Sequence, residues 1–483
     1  MLCVGTLAYG WPGVTGWDSD EQYAQAVSGH LTDWHPPIMA WLWSVLRLAA
    51  DGPGPMFALQ VSIYWFALGC IGLTLCRLGR PLAGGAVLAV GVAPPFIALS
   101  VHIVKDVGLA ASCLASFAIC FWHRAQNRRM GLVPLAGAGA LLFYGSLVRA
   151  NGVFAAAPLL IYLAYPCLCA RPGRFIAACV VFVVLAIPAG SVFNHGILRA
   201  GKDYPLRSLQ IFDVTGIAYF ARDMSVFWPG PFTSGLVADC YTPVLWDTLG
   251  SLGANQECRV FWNSPSPQQG RTWAVAILRH PFAYAQHRLA HFNSELQLAV
   301  PRHIGDPRVT AWVAHGTRIE TGPRTLADAI SDGLGLDALL APAFALLLGA
   351  IVLASVLQRP VAPQDESNPC RAAVFCLVTS GLAYMSGYLF IGVASDFRYF
   401  LWPMMAIYIS AIMHLSVMKP RGIRPISRRA GIGCLLLAGA VAIHVAQTRQ
   451  GDALLMADGA DPAVAGAFAQ RMGAPAARRQ ARP

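Results

Sequence analysis

The sequence predicts an all-α polytopic membrane protein with about ten or eleven transmembrane helices and one large extracytoplasmic segment. Three observations support this fold class. Of the 483 residues, 56% are hydrophobic and only 12% are charged, whereas soluble domains carry about 25% charged residues. The apolar residues form runs long enough to cross a bilayer, which takes about 20 residues. The cations lie in short clusters between those runs, as is typical of cytoplasmic loops.

Ten apolar runs are candidate transmembrane helices. They cover residues 56–75, 82–100, 107–122, 131–148, 152–170, 175–193, 334–357, 372–394, 400–417 and 431–446. The apolar residues 1–16 are too few to cross a bilayer alone. They also lack the basic start and the cleavage site of a signal peptide. We expect them to be the outer end of a first helix that begins upstream of Met1.

The distribution of cations predicts the orientation of the chain. Fourteen Lys and Arg residues lie in one set of alternate loops, whereas the short loops of the other set contain only Lys105, Arg149 and Arg398. Because cytoplasmic loops are enriched in Lys and Arg, the first set is assigned to the cytoplasm, and segments 17–36 and 194–333 face outward. This placement also accounts for the net charge of +11, so no nucleic-acid partner is expected.

Four regions follow from this pattern. They are an N-terminal transmembrane region (1–193), an extracytoplasmic loop domain (194–333), C-terminal transmembrane helices (334–447) and a poorly ordered tail (448–483). Within the loop domain, the apolar spacing of 272–298 predicts one amphipathic helix at the membrane surface. Cys240 and Cys258 of the same domain are able to form a disulfide if that side of the membrane is oxidising.

Isolated charges at the outward side are the candidate functional residues. Lys105, Arg149 and Arg398 each lie at the outer end of an apolar run, where a charge is costly and usually has a partner or a function. The predicted catalytic loop, 17–36, adds four carboxylates. These are Asp18, Asp20, Glu21 and Asp33. We therefore expect acidic and basic side chains from distant stretches to form one pocket on the outward side.

The residue types in this pocket suit transfer from a phosphate leaving group. A carboxylate can act as general base towards a hydroxyl, while Lys and Arg bind phosphate and offset charge that develops on it. Four structural readings stay open: a local ion pair of Lys105 with Asp106, a tight turn at Arg149, a capping or snorkelling role for Asp396 and Arg398, and solvated loop charges at Asp18 and Asp20. A divalent ion held by Asp20, Glu21 and Asp33 is also open, although no metal-binding motif accompanies these residues.

Four short motifs, in this order and on one predicted side, resemble the GT-C superfamily. They are the acidic pair in 20–23, the Asp-Trp-His-Pro-Pro run at 33–37, Lys105-Asp106, and the Asp-Phe-Arg-Tyr run at 396–399. The superfamily contains membrane glycosyltransferases that use polyprenyl-phosphate sugars, such as protein O-mannosyltransferases and the lipid A aminoarabinose transferase. The resemblance extends from the N-terminus to about Val417.

The resemblance implies roles for individual residues. Asp20, with Glu21 beside it, matches the catalytic base, and Asp106 orients the acceptor or the base. The residues implied to bind substrate are Lys105, Arg149 and Arg398 towards the lipid-linked phosphate, together with His35, Asp33 and Tyr399. The chain departs from the family pattern before the acidic pair, where it has Asp18-Ser19. The base role is therefore shared between Asp18, Asp20 and Glu21.

The implied activity is an inverting transfer of a sugar from a polyprenyl-phosphate donor to an acceptor hydroxyl on a lipid, a glycan or a protein. The implied location is a bacterial inner membrane, with the site on the periplasmic or extracellular side. Two alternatives remain. An O-antigen polymerase or ligase would use outward Arg residues without an early carboxylate cluster, and a transporter or flippase would carry its charges near the bilayer midplane.

Overall fold

Helices dominate the computed structural model of the chain, which describes residues 1–227, 230, 232–251, 255–264, 270–298, 339–358 and 369–417. Within these ranges, β-pairing is limited to three isolated bridges. The chain divides into two compact units. In its described part, the first unit contains residues 1–203, 339–387 and 397–417, and the second contains most of 204–298 together with 388–396. The predicted all-α class is confirmed.

The first unit contains most of the long apolar helices. Its helices are α1 (Leu2–Gly10), α2 (Trp17–Ser28), α3 (Ile38–Leu46), α4 (Gly54–Arg77), α5 (Pro81–Val92), α6 (Pro94–Ser100), α7 (Lys105–Ala125), α8 (Leu132–Val148), α9 (Gly152–Ala164), α10 (Pro172–Val192), α16 (Pro342–Gln358), α17 (Pro369–Ile391) and α18 (Leu401–Val417). The last turn of α17, from Tyr388, belongs to the second unit. Exposed side chains on α10, such as Val184 and Leu185, match a helix surface that faces lipid.

Fewer helices than predicted are long enough to cross a bilayer. Five described helices are sufficiently long and apolar: α4, α7, α10 with its extension to Ile197, α17, and Phe397–Val417. The pair α5 and α6 forms a sixth span only if its 62° bend is included. Within the predicted helices at 131–148, 152–170 and 334–357, the described residues form α8, α9 and α16, each of 17 residues or fewer. A helix of 17 residues is only about 26 Å long, which is less than the ~30 Å hydrocarbon core.

Prolines account for two of these differences. Pro94 and Pro95 follow Ala93 at the bend between α5 and α6, since a proline has no backbone N–H and restricts the residue before it. Pro166 follows the end of α9 in the same way. The predicted span 431–446 and the predicted tail 448–483 lie outside the described residues.

The segment predicted as the outward loop begins with a helix. Helix α2 has Asp18 and Asp20 in its first turn, where carboxylates interact favourably with the positive end of the helix dipole. It ends at Gly29, whose φ of +74° lies in the left-handed region that glycine adopts without strain. An extended stretch fixes α2 against the start of α7: Ser19 Oγ donates to the carbonyl of Ile103, and Val14 pairs with His102.

The second unit is built from α11 (Leu206–Ala221), α12 (Ser234–Cys240), α13 (Val260–Asn263), α14 (Gly270–Arg279) and α15 (Pro281–Leu296). Cys240 and Cys258 form a disulfide in its core. The single amphipathic helix predicted over 272–298 is in fact α14 and α15, because Pro281 interrupts it. The exposed side chains of α15 include Phe282 and Leu289. Residues 393–395, which follow α17, pair with residues 244–246.

Candidate active site

Seven ionisable side chains from distant parts of the first unit meet in what we call the charge cluster. Its members are Asp18, Glu21, His35, Lys105, Asp106, Arg149 and Arg398. Asp18 and Glu21 lie on α2, and His35 lies in the connection from α2 to α3. Lys105 and Asp106 lie in the first turn of α7. The turn between α8 and α9 and the 3-10 turn before α18 each supply one arginine.

Asp18 lies between two cations. Its Oδ2 is 3.3 Å from Lys105 Nζ and 3.1 Å from an Arg398 guanidinium nitrogen, and its Oδ1 is 3.7 Å from His35 Nε2. Burial alone would raise the pKa of this carboxyl. The charges of Lys105 and Arg398, joined by that of His35 at pH values where its ring is protonated, outweigh that effect and hold the pKa well below its usual range. Asp18 is therefore ionised throughout the physiological pH range.

Asp106 forms the second anionic centre. It pairs with Arg149, and its Oδ2 is 3.8 Å from Arg398 Nε. The ring of Tyr399 supports both arginines, with its centroid 4.3 Å from the guanidinium carbon of Arg149 and 5.5 Å from that of Arg398. The turn that carries Arg149 needs Gly152, because a Cβ there would lie 2.3 Å from the carbonyl oxygen of Gly145. Arg398 thus lies between the two aspartates.

His35 links Lys105 to the most accessible carboxylate of the cluster. Its Nδ1 is 2.7 Å from Lys105 Nζ, and its Nε2 is 3.4 Å from Glu21 Oε2. Burial, followed by the charge of Lys105, lowers the pKa of His35, so the ring is neutral at pH 7. The neighbouring imidazole is the largest influence on Glu21 and lowers the pKa of its carboxyl. The Glu21 side chain is 36% exposed.

The cluster contains three carboxylates, three cations and a neutral histidine, so its charges balance. Its centre is buried, since Asp106 is 2% exposed and Lys105 is 9% exposed. Moving charges out of water costs more free energy than an ion pair usually returns. Buried groups of this kind are concentrated at functional sites. The arrangement presents fixed cations beside carboxylates, which suits both phosphate binding and proton transfer.

The cluster brings together Asp18, Lys105, Asp106 and Arg398, four of the outward charges that were expected to form one pocket. The remaining predicted residues that join them are Glu21, His35, Arg149 and Tyr399. Lys105 and Asp106 each contact charges from other elements, so their contacts are not limited to a local ion pair. The other three structural readings stay open. The catalytic and binding roles of all these residues stay predictions.

Asp20 and Asp33 are placed differently. Asp20 is two residues beyond Asp18 on α2, about 200° around the helix axis, whereas Glu21 is only about 60° from Asp18. Asp33 pairs with His195, with Oδ2 3.4 Å from Nε2, and its other oxygen accepts from the backbone N–H of Asp203. These contacts connect the 29–37 segment to the end of the first unit. The predicted roles of Asp20 and Asp33 in the site are not tested by this geometry.

Sequence reasoning missed His102, which lies between α6 and α7. Burial lowers the pKa of His102, its hydrogen bond with the Ala98 carbonyl opposes that effect, and the charge of Arg398 lowers the pKa further. Its proximity to Lys105 in the chain was the only available signal. No group of three or more His, Cys, Asp or Glu side chains among the described residues is arranged to hold a metal ion. Asp20, Glu21 and Asp33 accordingly do not form a ligand set.

A second buried polar group, in the second unit, was also missed. His287 contacts two polar groups: its Nε2 is 3.1 Å from Asp213 Oδ1, and its Nδ1 is 2.8 Å from the hydroxyl oxygen of Tyr241. Asp213 also pairs with Arg288 and accepts from the indole N–H of Trp273. His287 and Asp213 are fully buried. Without access to solvent, this group functions in the packing of α11 against α15.

Comparisons with known proteins give one weak likeness. No family model and no curated protein matches the chain. A solved structure of the archaeal oligosaccharyltransferase AglB from Archaeoglobus fulgidus, in complex with an inhibitory peptide and a dolichol-phosphate, is similar with a TM-score of 0.31 and 14% identity. The match covers 86% of this chain and 48% of that chain, so the chain spans about half the length of AglB. No residue assignment rests on this likeness.

Proposed function

We propose that the chain is a membrane glycosyltransferase of the GT-C type, which transfers a sugar from a polyprenyl-phosphate donor to an acceptor hydroxyl. The observation that carries the proposal is the charge cluster. Three cations from three separate elements meet the buried carboxylate of Asp106 and the partly exposed carboxylates of Asp18 and Glu21. The long helices around them are apolar. A site of this composition supplies both parts of the reaction: cations for the leaving phosphate and carboxylates for the nucleophile.

The cations would bind the donor phosphate. Lys105 and Arg398 share Asp18, and Arg398 and Arg149 share Asp106. The carboxylates keep these cations in place before the donor binds, so little reorganisation is needed when it arrives. The planar guanidinium of each arginine can contact two phosphate oxygens at once. The polyprenyl chain would extend along the apolar surfaces of the neighbouring helices.

The reaction is a direct displacement. The acceptor oxygen forms a bond to the anomeric carbon while the bond from that carbon to the phosphate oxygen breaks. The bonding electrons pass to the phosphate, which leaves as a polyprenyl monophosphate beside the cations. The hydroxyl proton passes to a carboxylate of α2, for which Asp18, Asp20 and Glu21 are the candidates. One displacement inverts the anomeric configuration, and phosphate leaves without a strong general acid.

The proposed location is a bacterial inner membrane with the site on its outer side. The excess of Lys and Arg in the alternate loops supports this orientation. The disulfide between Cys240 and Cys258 supports an oxidising compartment for the second unit. The acceptor is proposed to be a lipid, a glycan or a protein that carries a free hydroxyl.

The test is sugar transfer by the purified full-length chain in nanodiscs. Undecaprenyl-phosphate sugars carrying mannose, glucose, galactose or aminoarabinose are supplied singly, and released undecaprenyl phosphate is measured by mass spectrometry. Arg398→Ala is expected to lower release by about 100-fold, because it removes a cation from the leaving phosphate. Arg47→Ala is the matched control, since Arg47 pairs with the exposed Asp51.

Consumption of no donor in the panel, or equal release by both variants, would argue against the proposal. Extension of whole glycan chains would indicate a polymerase or ligase. Movement of the donor across vesicle membranes without loss of its sugar would indicate a flippase.

A further inference from the structure

Both ring nitrogens of His35 are constrained by their neighbours. Nδ1 is 2.7 Å from Lys105 Nζ. A protonated lysine has donors and no acceptor, so Nδ1 must accept this hydrogen bond. The single proton of the neutral ring is therefore on Nε2. Lys105 thus fixes which tautomer of His35 is present, and Nε2 is a donor.

The Nε2–H donor of His35 has no hydrogen-bond partner among the described residues. It faces two carboxylates: Glu21 Oε2 at 3.4 Å lies outside hydrogen-bond geometry, and Asp18 Oδ1 at 3.7 Å is too far for a hydrogen bond. His35 is 93% buried, with 7% of its surface exposed. Buried donors are almost always satisfied. An oxygen atom that is not part of this chain would satisfy this one.

The two carboxylates beside this donor differ in their capacity to take a proton. Asp18 is held by Lys105 and Arg398, so its charged form is strongly favoured. Glu21 Oε2 lies 3.4 Å from Nε2 of His35, whose ring is neutral, and 36% of the Glu21 side chain is exposed to solvent. A proton taken by Glu21 can return to water, whereas a proton on Asp18 would disrupt two ion pairs.

We infer that His35 Nε2 and the Glu21 carboxylate form the binding position of the acceptor hydroxyl. This inference rests on the proposed function and specifies the acceptor side of its site. His35 donates to the acceptor oxygen, and Glu21 accepts the hydroxyl proton. As the acceptor oxygen forms its bond to the anomeric carbon, the hydroxyl proton passes to Glu21. The bond between the anomeric carbon and the phosphate oxygen breaks, and its electrons pass to the phosphate.

This geometry also selects the chemical class of the acceptor. The bound atom must accept a hydrogen bond from Nε2–H and donate one to Glu21 at the same time. An alcohol hydroxyl or a water molecule does both. A protonated amine has no lone pair for Nε2–H, so it does not fit this position. The acceptor is therefore a hydroxyl-bearing molecule, and water in its place gives slow hydrolysis of the donor.

The first test follows the tautomer and needs no substrate. The full-length chain with ¹⁵N-labelled histidine is examined in nanodiscs at pH 7, and His35 is assigned by comparison with His35→Gln. The ring nitrogens are expected to report a neutral ring with the proton on Nε2. In Lys105→Met this preference is expected to weaken. A proton on Nδ1, or an imidazolium at pH 7, would overturn the inference whatever reaction the chain catalyses.

The second test measures hydrolysis of the undecaprenyl-phosphate sugar that the donor panel identifies. His35→Ala is expected to lower kcat by about 100-fold, with KM for the donor changed by less than about twofold. In His35→Gln the amide nitrogen replaces Nε2 as a donor, so its kcat is expected to be at least about tenfold higher than that of His35→Ala. His30→Ala is the matched control, because His30 is exposed in the same connection.

The pH profile then separates catalysis from a structural role. In the wild type, kcat is expected to fall as the pH drops below the usual range of a glutamate, where Glu21 is protonated, and Glu21→Gln should lack this limb. A kcat for His35→Ala equal to wild type, or a Gln variant no better than the Ala variant, would refute the inference. If the wild type hydrolyses no donor, the proposed function fails instead, and the tautomer measurement still stands alone.

Discussion

Asp18 competes with any phosphate that approaches Lys105 and Arg398. Its carboxylate lies within 3.3 Å of both cations, so a bound phosphate must share them. We expect Asp18→Asn to bind undecaprenyl phosphate about tenfold more tightly, because the cations lose their competing anion. Transfer should fall in the same variant, because the two cations are no longer held in position. Calorimetric titration of the protein in nanodiscs measures the affinity.

Asp51→Asn is the control for this prediction. Asp51 is an exposed carboxylate that pairs with Arg47, so its removal should leave the affinity for undecaprenyl phosphate within about twofold of wild type. Weaker binding by Asp18→Asn would mean that Asp18 orders the cations for the phosphate more than it competes with it.

The convergence of charges was predictable from the sequence. Which of the three α2 carboxylates share a face of the helix was not. Isolated charges in an apolar chain need partners, and this reasoning was sufficient to bring Asp18, Lys105 and Arg398 together. The sequence predicts a loop over 17–36, and a loop has no helical periodicity from which to assign side chains to faces. Only the helix Trp17–Ser28 distinguishes the face of Asp18 and Glu21 from that of Asp20. The role of Asp20 as a base stays a prediction.

At the scale of the element, the packing of α11 against α15 depends on the absence of a side chain at Gly216. A Cβ at this position would lie 2.1 Å from His287 Nδ1. Gly216→Ala is therefore expected to displace His287 from Asp213 and Tyr241, and to lower the free energy of unfolding by about 1–3 kcal/mol. Pulse proteolysis of the full-length chain, with fragments assigned to the second unit, measures the effect.

Gly235→Ala is a matched control within the same unit. No atom lies within 4 Å of a Cβ at Gly235, which is exposed on α12. Alanine there should be neutral or slightly stabilising, since it favours a helix over glycine. Equal losses in the two variants would show that the position of His287 does not limit the stability of this unit.

The same histidine predicts a pH dependence of stability. Burial is the largest influence on His287 and lowers its pKa to about 4, although Asp213 opposes the shift. In the unfolded chain, its pKa is about 6.5. Between these values the unfolded state binds a proton and the folded state does not, so stability falls as the pH drops from about 6.5 to about 4. The loss is on the order of 3 kcal/mol.

Other ionisable groups around His287 require a difference measurement. Asp213, Arg288, His291 and Tyr241 lie close to it, and Asp213 has a lowered pKa, so protonation of Asp213 also costs stability at still lower pH. The unfolding free energy of wild type is therefore compared with that of His287→Gln between pH 4 and 7. The stability advantage of wild type should shrink towards pH 4. An advantage independent of pH would contradict the lowered pKa.

The elements of the second unit show where helical periodicity is insufficient. The spacing of apolar residues in 272–298 correctly predicted helices with two unlike faces. It did not predict that α15 buries His287, Arg288 and His291 while Phe282 and Leu289 are exposed. A buried polar face is favourable only when each charge finds a partner on another element. Those partners, Asp213 and the carbonyl of Gly392 among them, are distant in sequence. The predicted contact of this segment with the membrane surface stays a prediction.

At the scale of the whole molecule, the number of spans was harder to predict than the fold class. Composition and apolar runs were sufficient for a helical membrane protein, since an apolar chain of this length has few alternatives. Span length depends on where each helix ends, as at α9, whose end is followed by Pro166. The same holds for function. The sequence shows which charged residues are unusual, but their chemical roles can be argued only from the geometry of the charge cluster.

The orientation of the first unit in the membrane gives the last prediction. The cation count assigns the connections beside Arg77 and Arg171 to the cytoplasm and the connection between α2 and α3 to the outside. Cys76 and Cys167 are exposed thiols in the cytoplasmic set, and His30 is exposed in the outward connection. Cys3 is partly exposed and lies before the outward segment, so it is first replaced by serine. In right-side-out vesicles, a membrane-impermeant maleimide is expected to leave the Cys3→Ser chain unlabelled and to label the same chain with His30→Cys. Permeabilised vesicles should label both proteins, which shows that Cys76 and Cys167 are reactive. Labelling of the Cys3→Ser chain without permeabilisation would reverse the orientation and place the charge cluster on the cytoplasmic side, where the proposed donor would have to be presented from the opposite leaflet.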